Sequence, residues 1–151
     1  MVNDRLTRGI IAGIAGGLAQ NIYGYIARFF GLTDLVYLDV ARGVLFNYEY
    51  KGFLAVLVSA FGCLTIDSIW GVLFAFVMRK TSSKYHVVKG ILFAVSIWFF
   101  VRVLGTKIFG VMVDTDPQTA LVFFFGAVLF GTTMASVLKW LDMKFFIYPF
   151  D

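Results

Sequence analysis

Residues 52–78, GFLAVLVSAFGCLTIDSIWGVLFAFVM, decide the fold of this chain. The segment is almost entirely apolar and about 27 residues long, whereas about 20 apolar residues in a helix are enough to cross a bilayer. Small or polar residues recur in it at every fourth position, namely Ala55, Ser59, Cys63, Asp67, Gly71 and Ala75. On a helix they form one narrow stripe, against which a second helix can pack closely. The segment therefore predicts a membrane-spanning helix with an ionisable residue near its middle.

The rest of the chain has the same character. Of its 151 residues 60% are hydrophobic, compared with the 45–50% that is usual in soluble domains. Apolar runs predict four spans, at residues 9–30, 52–78, 87–113 and 119–138. We therefore predict an all-α integral membrane protein, in which four transmembrane helices form a single membrane domain.

A segment of mixed polarity, residues 33–46, separates the first two spans. Thr33 is expected to be a helix N-cap, with Asp34 in the favourable first turn. A helix this short and amphipathic is expected to lie in the headgroup region. A re-entrant segment that lines a cavity is the alternative interpretation.

The basic residues predict the orientation. Four spans place both termini and the middle loop on one side of the membrane. Eight of the thirteen basic residues lie on that side, namely Arg5, Arg8, Arg79, Lys80, Lys84, Lys89, Lys139 and Lys144. The positive-inside rule therefore predicts that the N- and C-termini are cytoplasmic. Because the cations cluster at the ends of apolar runs, the net charge of +4 indicates contact with anionic lipids rather than nucleic acid.

Small residues at four-residue spacing predict close helix packing. They form two further rows, Gly9, Gly13 and Gly17 in the first span and Ala127, Gly131 and Ala135 in the fourth. The spacing does not specify which helix is the neighbour. The contacts could lie within the monomer, between copies in a homo-oligomer, or against a larger membrane-protein partner.

Polar residues are expected to form a layer inside the membrane. Counted from the cytoplasmic ends of the spans at 1.5 Å per residue, Asp67, Arg102 and the pair Gln20–Asn21 lie about 16–20 Å deep. A charge at this depth costs about 2.5–3.5 kcal/mol on insertion scales, so pairing is expected. Spans two and three are expected to be antiparallel neighbours, and we predict an Asp67–Arg102 ion pair assisted by Gln20 or Asn21. Such a layer has three possible roles. It can fix the register of the helices, or it can bind a proton, an ion or a polar solute. In the third, a partner protein supplies the counter-charge.

The sequence gives little support for catalysis. It has no zinc-ligand spacing, no GxSxG motif and no second carboxylate beside Asp67. The lone His86 is in a polar loop, and the single Cys63 lies in an apolar run. We therefore expect no catalytic residues, no metal and no cofactor, and we expect that the protein is not an enzyme.

The order of these features resembles the YqhR-like group of small bacterial integral membrane proteins. The shared features are a glycine-rich first span, a polar outer segment and short motifs in the later spans. These motifs are Lys51-Gly52 at the start of the second span, Lys89-Gly90-Ile91-Leu92-Phe93 leading to Trp98, and Leu129-Phe130-Gly131 in the fourth span. The resemblance implies a bacterial inner-membrane location, and it implies no chemistry and no functional residue.

These observations together predict a non-enzymatic membrane component. Its expected role is that of an accessory subunit or an oligomeric scaffold in the cytoplasmic membrane. The alternative is a small transporter or channel whose polar site surrounds Asp67 and Arg102.

Overall fold

The computed structural model describes residues 4–46, 52–81, 84–108 and 116–145, and within these ranges the chain is helical, without strands. Its helices are α1 (Arg5–Phe29), α2 (Tyr37–Phe46), α3 (Phe53–Lys80), α4 (His86–Ile108) and α5 (Pro117–Phe145). Helices α1, α3, α4 and α5 are long and apolar enough to cross a membrane. The predictions of an all-helical chain and of four such helices are therefore confirmed.

One helix is longer than the span predicted for it, because tertiary contacts stabilise its end. Helix α5 continues to Phe145 rather than ending at residue 138, because Leu141 is buried and Asp142 pairs with Arg8. Residues 109–113, which the sequence analysis placed in the third span, lie outside the described ranges. Helix α5 starts at Pro117, where the missing N–H of proline costs no hydrogen bond.

Asp116 caps the start of α5. Its carboxylate accepts a hydrogen bond from the backbone N–H of Thr119 at 3.2 Å. Hydrogen bonding to the side chain and backbone of Thr119 holds the pKa of Asp116 below its usual value. Helix α5 therefore begins with a side-chain cap.

Helices α1 and α5 pack side by side at the centre of the bundle. Helix α3 packs on α1 and α4 packs on α5, so that the four long helices follow the order α3, α1, α5, α4. Helices α3 and α4 contact each other only slightly, with the ring of Phe93 lying 6.4 Å from Trp70 and 5.4 Å from Phe74. Spans two and three are thus antiparallel and in contact, as expected, but the contact is small because each packs mainly on a central helix.

The two ends of the bundle differ in the helix ends that they contain. The basic end is where α1 starts, α3 ends at Lys80 and α4 starts at His86. The distal end is where α1 ends at Phe29 and α5 starts at Pro117. Each end has its own apolar core, one around Phe74 and Met134 and the other around Phe123, and these cores fix the helix register.

Glycine allows the long helices to approach closely. A Cβ built on Gly9 would lie 2.7 Å from the Cα of Val72, and one on Gly13 would overlap the carbonyl oxygen of Asp67. A Cβ on Gly90 of α4 would lie 2.5 Å from the carbonyl oxygen of Gly131 in α5. These distances are too short for any real side chain, so the glycine rows serve contacts within the monomer. The alanines predicted with Gly131, Ala127 and Ala135, are also buried.

The chain folds back after α1 and returns into the bundle. Gly31 makes the turn with a φ of +70°, in the left-handed region that glycine adopts easily. Val36, which follows this turn, is fully buried against Gly24 of α1. Helix α2 then packs on α3, and Leu45 of α2 lies against Gly62 of α3. Helix α2 is therefore part of the helix packing.

Thr33 does not have the role expected from the sequence. Helix α2 begins at Tyr37, so Thr33 is too far upstream to be its N-cap. Its buried hydroxyl instead accepts from the N–H of Leu35 and lies 3.2 Å from the Thr119 hydroxyl of α5. This hydroxyl pair joins the segment before α2 to the start of α5, a contact that local sequence does not specify.

The glycine contact between α1 and α3 is testable by substitution. We expect Gly13→Ala to lower the free energy of unfolding by about 1–3 kcal/mol, because the added methyl meets only backbone of Asp67 and Gly71, which cannot rotate away. The measurement is unfolding in mixed detergent–SDS micelles. Gly105→Ala is the matched control, since nothing lies within 4 Å of its Cβ, and alanine should raise stability there by up to about 1 kcal/mol. Equal effects of the two changes would contradict the tight contact.

Candidate functional site

Asp67 is the ionisable residue nearest the middle of the bundle. It lies halfway along α3, and its carboxylate packs directly on Gly17 of α1. A Cβ at position 17 would overlap the carboxylate oxygen, so glycine there makes the space that Asp67 fills. The Asp67 side chain is half-buried. The carboxylate is thus held against α1 while part of it stays accessible.

Asn21 extends this polar surface by one helical turn. Its Nδ2 donates to the carbonyl oxygen of Gly17 at 2.9 Å, on the side of α1 that bears Asp67. Its Oδ1 is buried and accepts no hydrogen bond from the part of the chain that the structure describes. An unsatisfied acceptor of this kind costs about 1–3 kcal/mol. Asn21 therefore offers a binding position for a donor group.

Gln20 points toward α5 rather than α3. It is buried, and both Gln20 and Tyr37 of α2 lie against Gly126. The structure thus brings Gln20, Asn21 and Asp67 onto adjacent faces of the same level of the bundle. We call these residues, together with Tyr37, the polar cluster.

Tyr37 was not among the residues predicted for the site. Its hydroxyl donates to the carbonyl oxygen of Phe123 at 2.7 Å, and its ring lies 4.6 Å from the ring of Phe123. Burial raises the pKa of Tyr37 above its ordinary value, more than the amide of Gln20 lowers it, so the hydroxyl stays protonated and remains a donor. No sequence signal places Tyr37 here, because its position depends on the chain folding back at Gly31.

The structure does not bring Arg102 to Asp67. Arg102 lies one turn beyond Trp98 toward the distal end, and the Trp98 ring contacts Phe124 of α5 at 5.7 Å. Helix α4 packs mainly on α5 and helix α3 on α1, and the two helices contact each other only slightly. Counting depth along each helix gave similar levels, but it could not show how little α3 and α4 contact each other.

The ion pairs that the structure shows lie at the two ends of the bundle. Arg8 pairs with Asp142 at 2.6 Å at the basic end. Asp39 of α2 accepts from Arg28 at 2.8 Å and from Arg42 at 2.9 Å near the distal end. Within the described ranges no cationic group lies within 4 Å of the Asp67 carboxylate. Asp67 is thus a mid-helix carboxylate without an ion pair from the described part of its own chain.

Metal binding has no support in the described residues, where no three of His, Cys, Asp and Glu lie close enough to hold an ion. Comparison with protein-family models, with curated proteins and with solved structures finds no significant match to this chain. The function is therefore inferred from the residues and their geometry.

The hydrogen bond of Tyr37 gives a test of the polar cluster. We expect Tyr37→Phe to lower the free energy of unfolding by about 0.5–1.5 kcal/mol, because the carbonyl oxygen of Phe123 loses its donor while the ring contacts stay. Tyr25→Phe, at an exposed position of α1, is the control and should change stability by less than about 0.5 kcal/mol. Both are measured by unfolding in mixed micelles, and an unchanged Tyr37→Phe protein would contradict this placement of α2.

Proposed function

We propose that the protein is a non-enzymatic component of the bacterial cytoplasmic membrane that works as an accessory subunit or an oligomeric scaffold. In this proposal α1, α3, α4 and α5 cross the bilayer, with the basic end in the cytoplasm. The length and composition of the four helices support the spanning arrangement, and the excess of cations at the basic end supports the orientation. The resemblance to YqhR-like proteins supports the bacterial setting.

The observation behind this proposal is the uncompensated charge of Asp67. Its position halfway along α3 puts it near the bilayer centre, where an unpaired charge costs about 2.5–3.5 kcal/mol. Since no cation of the described ranges lies beside it, a proton or an external cation has to neutralise the carboxylate. A basic or strongly donating residue on a partner helix would do so.

Helix α3 has room for such a partner. It packs closely on α1 and weakly on α4, and most of its length is exposed outside these contacts. Ile66, which precedes Asp67, is more than half exposed, and Phe61 and Ile69 are more than half exposed on the side of α3 that is turned away from α1. A second helix beside Ile66 would cover apolar surface and reach the exposed part of the Asp67 carboxylate. These features favour a partner-binding surface centred on Asp67.

The second candidate is a small transporter or channel. It is favoured by the buried Oδ1 of Asn21, which accepts no hydrogen bond from the described residues and lies one helical turn from Gly17, where the Asp67 carboxylate packs. The two side chains would coordinate a cation or accept hydrogen bonds from a polar solute, and Asp67 could bind a proton. Arg102 has no part in this site, because it forms no ion pair with Asp67 among the described residues.

Asp67→Asn separates the two functions. Asparagine has nearly the shape of aspartate, so it fits beside Gly17, and the described residues lose no ion pair. We expect the monomer to stay folded while its assembly weakens by about 30-fold or more, because a partner's buried charge would lose its counterion. The measurement is native mass spectrometry of the tagged protein from its own host in a gentle detergent.

Thr65→Val is the matched control for this variant. Thr65 is an exposed polar residue of α3 that bonds only to its own helix, through the carbonyl oxygen of Phe61. Its removal should leave the assembly intact. An Asp67→Asn protein that keeps its partner at wild-type stoichiometry contradicts the scaffold proposal. If that protein also loses solute or proton flux in liposomes under an imposed gradient, the transporter function is supported instead.

A further inference from the structure

A cavity of about 460 Å³ opens at the basic end of the bundle. Its inner wall is apolar and is formed by Phe74 and Met78 of α3 and by Leu138 and Met143 of α5. Phe74 and Leu138 are almost completely buried, so this wall is a fixed part of the core rather than a loose surface. The volume lies within the range of small-molecule sites, about 300–1,000 Å³.

The rim of the cavity is basic. Arg5 of α1, Arg79 of α3 and Lys139 of α5 line it, and Asp142 is the one acidic residue among the lining residues. Asp142 is held mainly by Arg8 at 2.6 Å, while Arg5 is 3.9 Å away. Arg79 and Lys139 are exposed and form no ion pair among the described residues. The rim therefore has more positive charge than its own carboxylate can balance.

We propose that this cavity binds the phosphate headgroup of an anionic phospholipid, with Arg79 and Lys139 as its main ligands. Charged donors of this kind form short, strong hydrogen bonds to phosphate oxygens. The glycerol and the first carbons of the acyl chains lie on the wall of Phe74, Met78 and Leu138. A free phosphate would use the rim but not this wall, and a zwitterionic headgroup would bring its own cation against the basic rim.

The location of the cavity agrees with a lipid ligand. The proposal rests on the membrane placement proposed above, in which the basic end lies at the cytoplasmic headgroups. Basic pockets between transmembrane helices on that side are typical sites for anionic lipids. It does not depend on Asp67, which lies far from the cavity near the middle of α3. Lipid binding and partner binding can therefore fail independently.

The test is a lipid titration of the detergent-purified protein followed by native mass spectrometry. The probes are dioleoylphosphatidylglycerol, dioleoylphosphatidylcholine and sodium phosphate. The test variant is the double change Arg79→Gln with Lys139→Gln. The control is Lys80→Gln with Lys144→Gln, which removes the same charge from the same two helices, at residues that do not line the cavity. Lys144 instead lies over the ring of Trp140 at 4.9 Å.

We expect one phosphatidylglycerol to bind the wild-type protein more tightly than phosphatidylcholine or phosphate. The test variant should lose about 10- to 30-fold in affinity for phosphatidylglycerol, and the control less than about 3-fold. Both altered residues of the test variant are exposed, so the fold should persist, and circular dichroism of each variant checks this. An equal loss in both double variants would show a general charge effect and overturn the proposal. Equal affinity for phosphatidylcholine, or for free phosphate, would overturn it as well.

Discussion

The close contact of α1 with α3 is the constraint on which the rest of the structure depends. It requires glycine at positions 9 and 13, where the backbone of α3 occupies the space of a side chain, and at position 17, where the Asp67 side chain occupies it. In a membrane the hydrophobic effect does not drive helices together, so van der Waals contact at such surfaces supplies much of the association energy. The same contact determines where Asp67 lies. Its carboxylate has a position only because Gly17 has no Cβ.

The polar groups of the chain differ in kind along the length of the bundle. Ion pairs form where charged residues reach the ends, as in Arg8 with Asp142, and at the distal end Asp39 is held by Arg28 and Arg42. Between these ends the polar groups of the described residues are mostly neutral amides and hydroxyls, and the charged residues there are Asp67 and Arg102. This pattern follows from the cost of charge in an apolar medium, which is low only where water or a counterion is near.

Helix α2 completes the distal half of the bundle. Tyr37 bonds to α5, Val36 fills the space beside Gly24 of α1, and Leu45 reaches α3 at Gly62. The segment therefore contacts three long helices, and it lies between the level of Asp67 and the distal end. The polar cluster is bounded on this side by a fold-back of the chain. The basic cavity lies at the other end of the bundle, so the two proposed sites are structurally separate.

The sequence by itself determined the four long helices, because apolar runs of this length and spacing are a local property. It also indicated the glycine rows, and it singled out Gln20, Asn21 and Asp67 as polar residues within apolar runs. Only the tertiary structure decided which helices are neighbours. It placed Arg102 away from Asp67, brought Tyr37 to the polar cluster and gave Thr33 a partner in α5. Helical periodicity fixes which face of a helix is small or polar, but the helix that covers this face is chosen by contacts between residues far apart in the chain.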